Sequence, residues 1–405
     1  MGRRLRIPYG FQDLLPKECY AKKRLEAVLT EIYGSYGYNE VETPTIEYYD
    51  AFHDVYAPDK LKKMFKMTDS DGSLLALRPD ITLQVCRMAS KLDLNYPQRL
   101  FYAENCFEYF DNGDTARSRE FAQVGVELIG DSGIDGEIEI ITLAVQSFLA
   151  CGLVDFKIDI GNNNFFKGLI SEIGLNKKDI AQLTEFINKK DFFAIEVFLQ
   201  SKKIASEFCD KLLLLPSLFG GREVFAKAES ICNNKLSLSA FENIKTLYDA
   251  LKEIGYEQYV SIDFGMLHGL DYYSGLVLKG YSKNFGLCLL DGGRYDGLCP
   301  SFGFDGKAVG FAIGVKRLLS ALNETGRQDS VPTIDYAYFS DNADRKTEMS
   351  FTEILRKKGF RVLKIFCKDK SALFEYCKQN KIRNACIIYN KDIIEFGEED
   401  ILCQT

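Results

Sequence analysis

Phe121-Ala122-Gln123-Val124-Gly125-Val126-Glu127-Leu128 reads as the return limb of a long antiparallel hairpin running from Arg99 to Ile129. Leu100-Phe101-Tyr102-Ala103 and Phe107-Glu108-Tyr109-Phe110 form the outgoing limb, with turn residues at Asp111-Asn112-Gly113-Asp114. Side chains alternate across a strand, so Gln123 and Glu127, four residues apart, point to the same face. Long hairpins covered by helices on one side predict an α+β domain built on an antiparallel sheet.

Upstream, Pro16 is placed to open a helix, in which Leu25, Val28, Leu29, Ile32 and Tyr33 recur at helical spacing. Val41 to Ile46 is extended, and Pro44 suits a strand end or edge. Asp71-Gly72 turns a second hairpin between Met64–Thr68 and Leu74–Leu77, and a helix runs from Arg78-Pro79-Asp80 to about Met88. Downstream, residues 134–151 read as an amphipathic helix and Val154 to Ile160 alternates as a strand. Helical spacing over about 165–256 predicts an insertion of four or five helices. Strands resume at Val260–Phe264, Tyr272–Leu278 and Gly286–Leu290, before a helix ending near Leu322. The first domain therefore spans 1–325, a polar, breaker-rich linker 326–332, and alternating strands and helices make 333–405 a small α/β domain.

The 405 residues are 46% hydrophobic and 27% charged, which excludes a disordered or fibrous chain. A net charge of −7 argues against a protein whose main task is gripping nucleic acid. The Arg356-Lys357-Lys358 cluster is the one basic grip on offer, and such a cluster also serves as a solvated helix end. Twelve scattered cysteines without a CxxC pair, and two histidines, predict reduced thiols and no metal site. No secretory leader or membrane span is read, so the expected location is the cytoplasm.

Four segments carry chemistry: Leu77-Arg78-Pro79-Asp80-Ile81-Thr82, the Gln123–Glu127 strand, His268-Gly269-Leu270-Asp271-Tyr272-Tyr273 and Gly292-Gly293-Arg294-Tyr295-Asp296-Gly297-Leu298. With Val309–Gly314 and Arg317-Leu318 they resemble, in order, the landmarks of class II histidyl-tRNA synthetases. The resemblance covers about residues 5–325, and the C-terminal unit resembles a trimmed anticodon-binding domain. It implies a class II synthetase-like antiparallel sheet with flanking helices, and Pro44 at the first-motif position implies a homodimer. It places Asp80, Thr82 and Gln123 on the α-ammonium of histidine and Glu127 and Tyr273 on the imidazole, with Tyr272 a further histidine-binding candidate. Asp80 is shorter than the family's glutamate.

The pattern departs from the synthetases where catalysis would be done. Adenylate formation builds negative charge on the α-phosphate, and losing one preorganised donor can cost roughly 10²–10³ in turnover. The second class motif, Phe-Arg-x-Glu in synthetases, reads Phe107-Glu108-Tyr109-Phe110 here. The arginine that opens the histidyl motif is replaced by His268, which cannot form a bidentate fork. Arg317 is kept, with Lys316 where the family has glutamate. A histidyl-synthetase body with a lost activation site and a kept amino acid pocket is similar to the regulatory subunits of ATP phosphoribosyltransferase. That resemblance implies a non-catalytic chain without cofactor, with L-histidine as ligand and the short catalytic subunit as partner in the first step of histidine biosynthesis. The C-terminal unit departs from the shorter members.

Other readings stand beside this one. Asp80 also suits a helix N-terminal acid, Gln123 and Glu127 a solvated strand face, Tyr272 and Tyr273 core aromatics. The glycines of 292–297 suit a phosphate cradle or close backbone packing equally. An active histidyl-tRNA synthetase and a synthetase-like nucleic-acid-binding accessory protein are the rival functions.

Overall fold

The computed structural model describes residues 6–53, 55–92, 97–110, 118–130, 133–232, 234–268, 270, 272–304, 306–326 and 331–402. The turn expected at 111–114 and most of the expected linker lie outside the described residues. The chain divides into two compact units, 1–329 and 330–405.

The first unit begins with α1 (Pro16–Ser35), where Pro16 takes the first helical position and the Leu15 N–H donates to Glu18 Oε2 at 3.0 Å. Leu25, Leu29 and Tyr33 form its buried stripe. Next come β1 (Asn39–Glu40), β2 (Ile46–Tyr48), the short helices α2 (Asp50–His53) and α3 (Pro58–Lys62), the hairpin β3 (Lys66–Thr68) and β4 (Leu74–Leu77), and α4 (Thr82–Ala89). The long pair β5 (Gln98–Phe107) and β6 (Glu120–Gly130) leads into α5 (Ile134–Ala150) and β7 (Phe156–Asn162). Helices α6 (Asn163–Ile170), α7 (Lys177–Asn188), α8 (Phe192–Ser201) and α9 (Ser206–Leu214) follow, then β8 (Phe219–Gly220), α10 (Val224–Ile231) and α11 (Lys235–Glu253). The unit closes with β9 (Val260–Asp263), β10 (Leu276–Ser282), β11 (Phe285–Arg294), β12 (Lys307–Gly314) and α12 (Val315–Glu324).

Nine strands form one sheet in the order β1-β5-β6-β12-β11-β10-β7-β9-β8, antiparallel except at β1·β5 and β7·β9. Alternation sends neighbouring residues to two different cores. Phe101, Val124 and Val126 pack with Leu29 and Tyr33 of α1 and Ile141 of α5 on one face. Leu100 and Tyr102 pack with Leu83, Val85 and Cys86 of α4 on the other. That second face carries the site.

Four local expectations differ from the structure. The extended stretch at 41–46 is split, because Pro44 has no N–H for a ladder, and its carbonyl accepts from Gln84 Nε2 at 2.9 Å. The helix expected from residue 78 starts at Thr82. Upstream of it the buried Arg78 guanidinium holds the Thr43 carbonyl (2.6 Å), the Asn105 carbonyl (2.8 Å) and Glu104 Oε1 (2.8 Å). The strand expected from Tyr272 starts at Leu276, since the Asn163 and Asn164 amides take the carbonyls of Tyr273 and Ser274. The helical stretch holds six helices, not four or five. Caps at Asn162, Asn176, Asp191 and Asn234 cut the apolar periodicity into short pieces.

The second unit comprises β13 (Tyr336–Asp341), α13 (Arg345–Lys357), β14 (Val362–Lys364), α14 (Lys370–Asn380), β15 (Asn384–Tyr389), β16 (Asp392–Phe396) and α15 (Glu398–Leu402). Its sheet, in the order β14-β13-β15-β16, is parallel apart from the last pair. The unexpected edge strand follows a tight turn at Asn390, whose φ of 50° asparagine tolerates well.

Glu127 on β6 lies opposite Gly310 on β12. A Cβ at Gly310 would stand 2.0 Å from Glu127 Oε2 and 2.3 Å from the Val126 carbonyl, so the glycine makes room for the acid. Gly310→Ala should therefore destabilise the fold by about 1–3 kcal/mol. Gly286→Ala on β11, where a Cβ would meet nothing within 4 Å, should change stability little. Urea melts of both variants check this.

Candidate functional site: a buried acid and its donors on the α4 face

Glu127 is 1% exposed, which rules out a solvated strand face for it. An isolated buried carboxylate is expensive, so its oxygens must be met by donors. Thr82 at the start of α4 donates from Oγ1 to Glu127 Oε1 at 2.7 Å, and the Tyr102 hydroxyl reaches the same oxygen at 3.4 Å. The Tyr295 hydroxyl donates to Oε2. Burial outweighs these donors and pushes the carboxyl up to about 7.

Asp80, two residues before α4, accepts from the Tyr56 hydroxyl and from the Lys60 ammonium. Lys60 Nζ also lies 3.7 Å from the centre of the Tyr56 ring. Asp80 is thus an ammonium acceptor, with an ammonium of the same chain on it. Gln123 Oε1 accepts from Cys106 Sγ at 3.2 Å. Tyr272 stacks on Tyr295 (5.9 Å, 22°) and meets Tyr273 edge-on at 5.0 Å. Burial holds both phenols well above their ordinary range, and the Asp80 and Glu127 carboxylates push the same way. Asp80, Thr82, Gln123, Glu127, Tyr272 and Tyr273 thus share one face of the sheet, with Thr82 turned to Glu127.

The positions read as a lost nucleotide site are occupied from within. Glu108 faces Lys63 at 3.5 Å. Phe110 is buried against Tyr9, and its carbonyl accepts from Arg119 Nη2 at 2.6 Å. His268 Nε2 meets Asp291 Oδ2 at 3.0 Å, and the other Asp291 oxygen is buried without a hydrogen-bond partner among the described residues. Arg317 donates to the Cys288 carbonyl at 2.9 Å, and Lys316 to Gln12 at 3.0 Å. The glycine alternative resolves towards packing: a Cβ on Gly292 or Gly293 would stand 2.4 Å from the carbonyl of Gly310 or Leu276. Arg294 beside them is engaged by Glu137 (3.1 Å) and Asp296 (2.8 Å).

Sequence reasoning missed Tyr295, Tyr102, Tyr56, Lys60 and Asp291. Tyr295 lies inside a quoted motif whose glycines drew the reading, and a buried acid in need of donors was the signal for it. Lys60 and Tyr56 left no signal, since their segment matches no motif.

A cavity of about 610 Å³ opens between α1, α12 and the ends of β5 and β6, and none of the predicted site residues lines it. Among the described residues there is no group of three metal-ligating side chains, and no helix is long and apolar enough to cross a membrane. The basic cluster ends α13, where Lys357 pairs with Glu353 (2.8 Å) and Arg356 donates to Thr352 Oγ1 (3.1 Å).

This sheet is the architecture of class II histidyl-tRNA synthetases, whose family profile matches residues 10–318. A solved histidyl-tRNA synthetase from a Nostoc species superimposes with a TM-score of 0.79 at 21% identity, covering 98% of each chain, which bears on the fold alone. A solved Bacillus halodurans protein, described as an ATP phosphoribosyltransferase regulatory subunit/histidyl-tRNA synthetase, gives 0.82 at 28% identity over 96% of this chain and 99% of its own. The ATP phosphoribosyltransferase regulatory subunit of Clostridium acetobutylicum is 36% identical over 95% of each chain. That of Acetivibrio thermocellus is 37% identical over 88% of this chain and 85% of its own. The chain belongs to the family of ATP phosphoribosyltransferase regulatory subunits.

The raised carboxyl of Glu127 makes stability depend on pH. With the folded value at about 7 against an ordinary 4.5, its contribution is full below 4.5 and is lost as pH rises through 7. The loss is on the order of 3 kcal/mol. In Glu127→Gln this component should vanish, so the stability gap between wild type and variant should shift by that amount between pH 4.5 and 8. Asp263, Glu137 and Asp159, raised by their own burial, cancel in the comparison. Urea melts at the two pH values measure it.

Proposed function

We propose that this chain is the non-catalytic regulatory subunit of a short-form ATP phosphoribosyltransferase, and that free L-histidine is the ligand of the α4-face pocket. One observation carries the reading. The pocket that would hold an amino acid keeps its acids and phenols, while Glu108 and the His268–Asp291 pair stand where phosphate chemistry needs fixed cations. An active synthetase is disfavoured on the same ground.

In this reading Asp80 and Gln123 take the α-ammonium, by charge and by amide oxygen. An ionised carboxylate offers about four acceptor sites. Thr82, Tyr102 and Tyr295 use three on Glu127, leaving one for an imidazole N–H, with Tyr273 closing the ring from the other side. Histidine inhibits by binding the inactive arrangement of the assembly more tightly than the active one, since a ligand with equal affinity for both shifts nothing. The chain acts in the cytoplasm as a homodimer, with Pro44 near the interface, inside a larger hetero-oligomer.

Mixed with a short-form catalytic subunit, the protein should form a complex and raise its turnover, and histidine should reverse the gain. Glu127→Ala should still form the complex but bind histidine at least about tenfold more weakly, the value of one charged hydrogen bond. Histidine-dependent exchange of pyrophosphate into ATP at a synthetase rate, or failure to form any complex, overturns the proposal.

A further inference from the structure

We propose that Lys60 is a built-in competitor for the ammonium subsite: its side chain holds Asp80 in the free protein and is expelled when an amino acid ligand enters. The inference rests on the reading of Asp80 as the acceptor of the ligand's α-ammonium.

The geometry is that of a small ammonium receptor. One Asp80 oxygen takes the Lys60 ammonium, the other is fixed by the Tyr56 hydroxyl, and the Tyr56 ring lies 3.7 Å from the same nitrogen. A carboxylate beside an aromatic face is the surrounding an α-ammonium would seek. Tyr56 is buried with Phe52, Leu61 and Met64, so the receptor's wall is fixed. Lys60 is not fixed in the same way: its side chain is 41% exposed, on the five-residue helix α3. A partly exposed ion pair of this kind is weak and exchangeable.

Replacing one ammonium by another conserves the ion pair on Asp80 and frees Lys60 to water. No buried charge is left alone at either end of the exchange, so the costly state of an unpaired carboxylate is avoided. The ligand binds only the fraction of molecules whose subsite is vacant, which weakens its apparent affinity by that fraction. The device also selects: a ligand with an imidazole and a carboxylate but no ammonium has nothing to exchange for Lys60.

Calorimetry on the full chain tests this, comparing wild type with Lys60→Met for L-histidine and for imidazole-4-propionate, which lacks the ammonium. Lys60→Met should tighten histidine by about tenfold, corresponding to a vacant fraction near one tenth, and leave imidazole-4-propionate unchanged. In the wild type, acetylation of Lys60 by an N-hydroxysuccinimide ester, read by mass spectrometry, should rise when histidine is added. Lys62, 77% exposed, serves as the reference amine. Unchanged or weaker histidine binding in Lys60→Met overturns the competitor while leaving the histidine pocket standing. Equal tightening of both ligands overturns it in favour of a plain steric block. If neither protein binds histidine, the pocket reading falls and the competitor with it.

Discussion

The carboxyl of Glu127 is the point on which the α4 face of the sheet is organised. It sits on a central strand, fully desolvated, and its donors come from three separate places: the first residue of α4, the neighbouring strand β5, and the segment just after β11. A buried acid left without donors would cost several kcal/mol, so the acid ties these elements to one another. Gly310 on the next strand is the counterpart of this arrangement, because the carboxylate fills the space its side chain would take. The same demand fixes Tyr295, against which Tyr272 stacks.

The neighbouring cleft obeys the opposite logic. Phosphoryl chemistry needs cations that face outwards and are not neutralised from within. Here Glu108 stands beside Lys63, and Arg317 donates to a backbone carbonyl. Asp291 adds a carboxylate next to the imidazole that replaced an arginine. Each pairing engages, from within the chain, a side chain at a position read as part of the lost activation site. A cleft can thus lose a reaction without losing its shape, which is how one fold serves both synthetases and regulatory subunits.

Much of this was legible in the residues, for a physical reason. The β5–β6 pair, the α1 stripe and the common face of Gln123 and Glu127 follow from periodicities of two and 3.6, and tertiary context did not override them. Where side chains rather than periodicity set the backbone, the reading slipped. Arg78 delays the start of α4 by gripping carbonyls from two other segments, and caps divide the helical stretch. The partners of Asp80 were illegible because Tyr56 and Lys60 lie 24 and 20 residues upstream, with nothing in their spacing to announce a contact. Tyr295 reaches Glu127 across 168 residues, a distance only the sheet register closes.

In the proposed reading the Glu127 and Asp80 ends of the site differ in a way that matters for regulation. Around Glu127 the donors Tyr102 and Tyr295 are buried and Thr82 is half-buried, so in the proposed reading that end is the fixed one and would supply recognition. Around Asp80 the contact is a partly exposed ion pair on a short helix, so that end can exchange partners and move the chain that carries it. A tenfold shift between two assembly states requires only about 1.4 kcal/mol of differential binding. One such ion pair supplies up to about 1 kcal/mol, a large part of that shift. In the proposed reading histidine need not deform the sheet to be felt elsewhere: recognition would reside in the buried acid, and the energy for signalling in the exchangeable one.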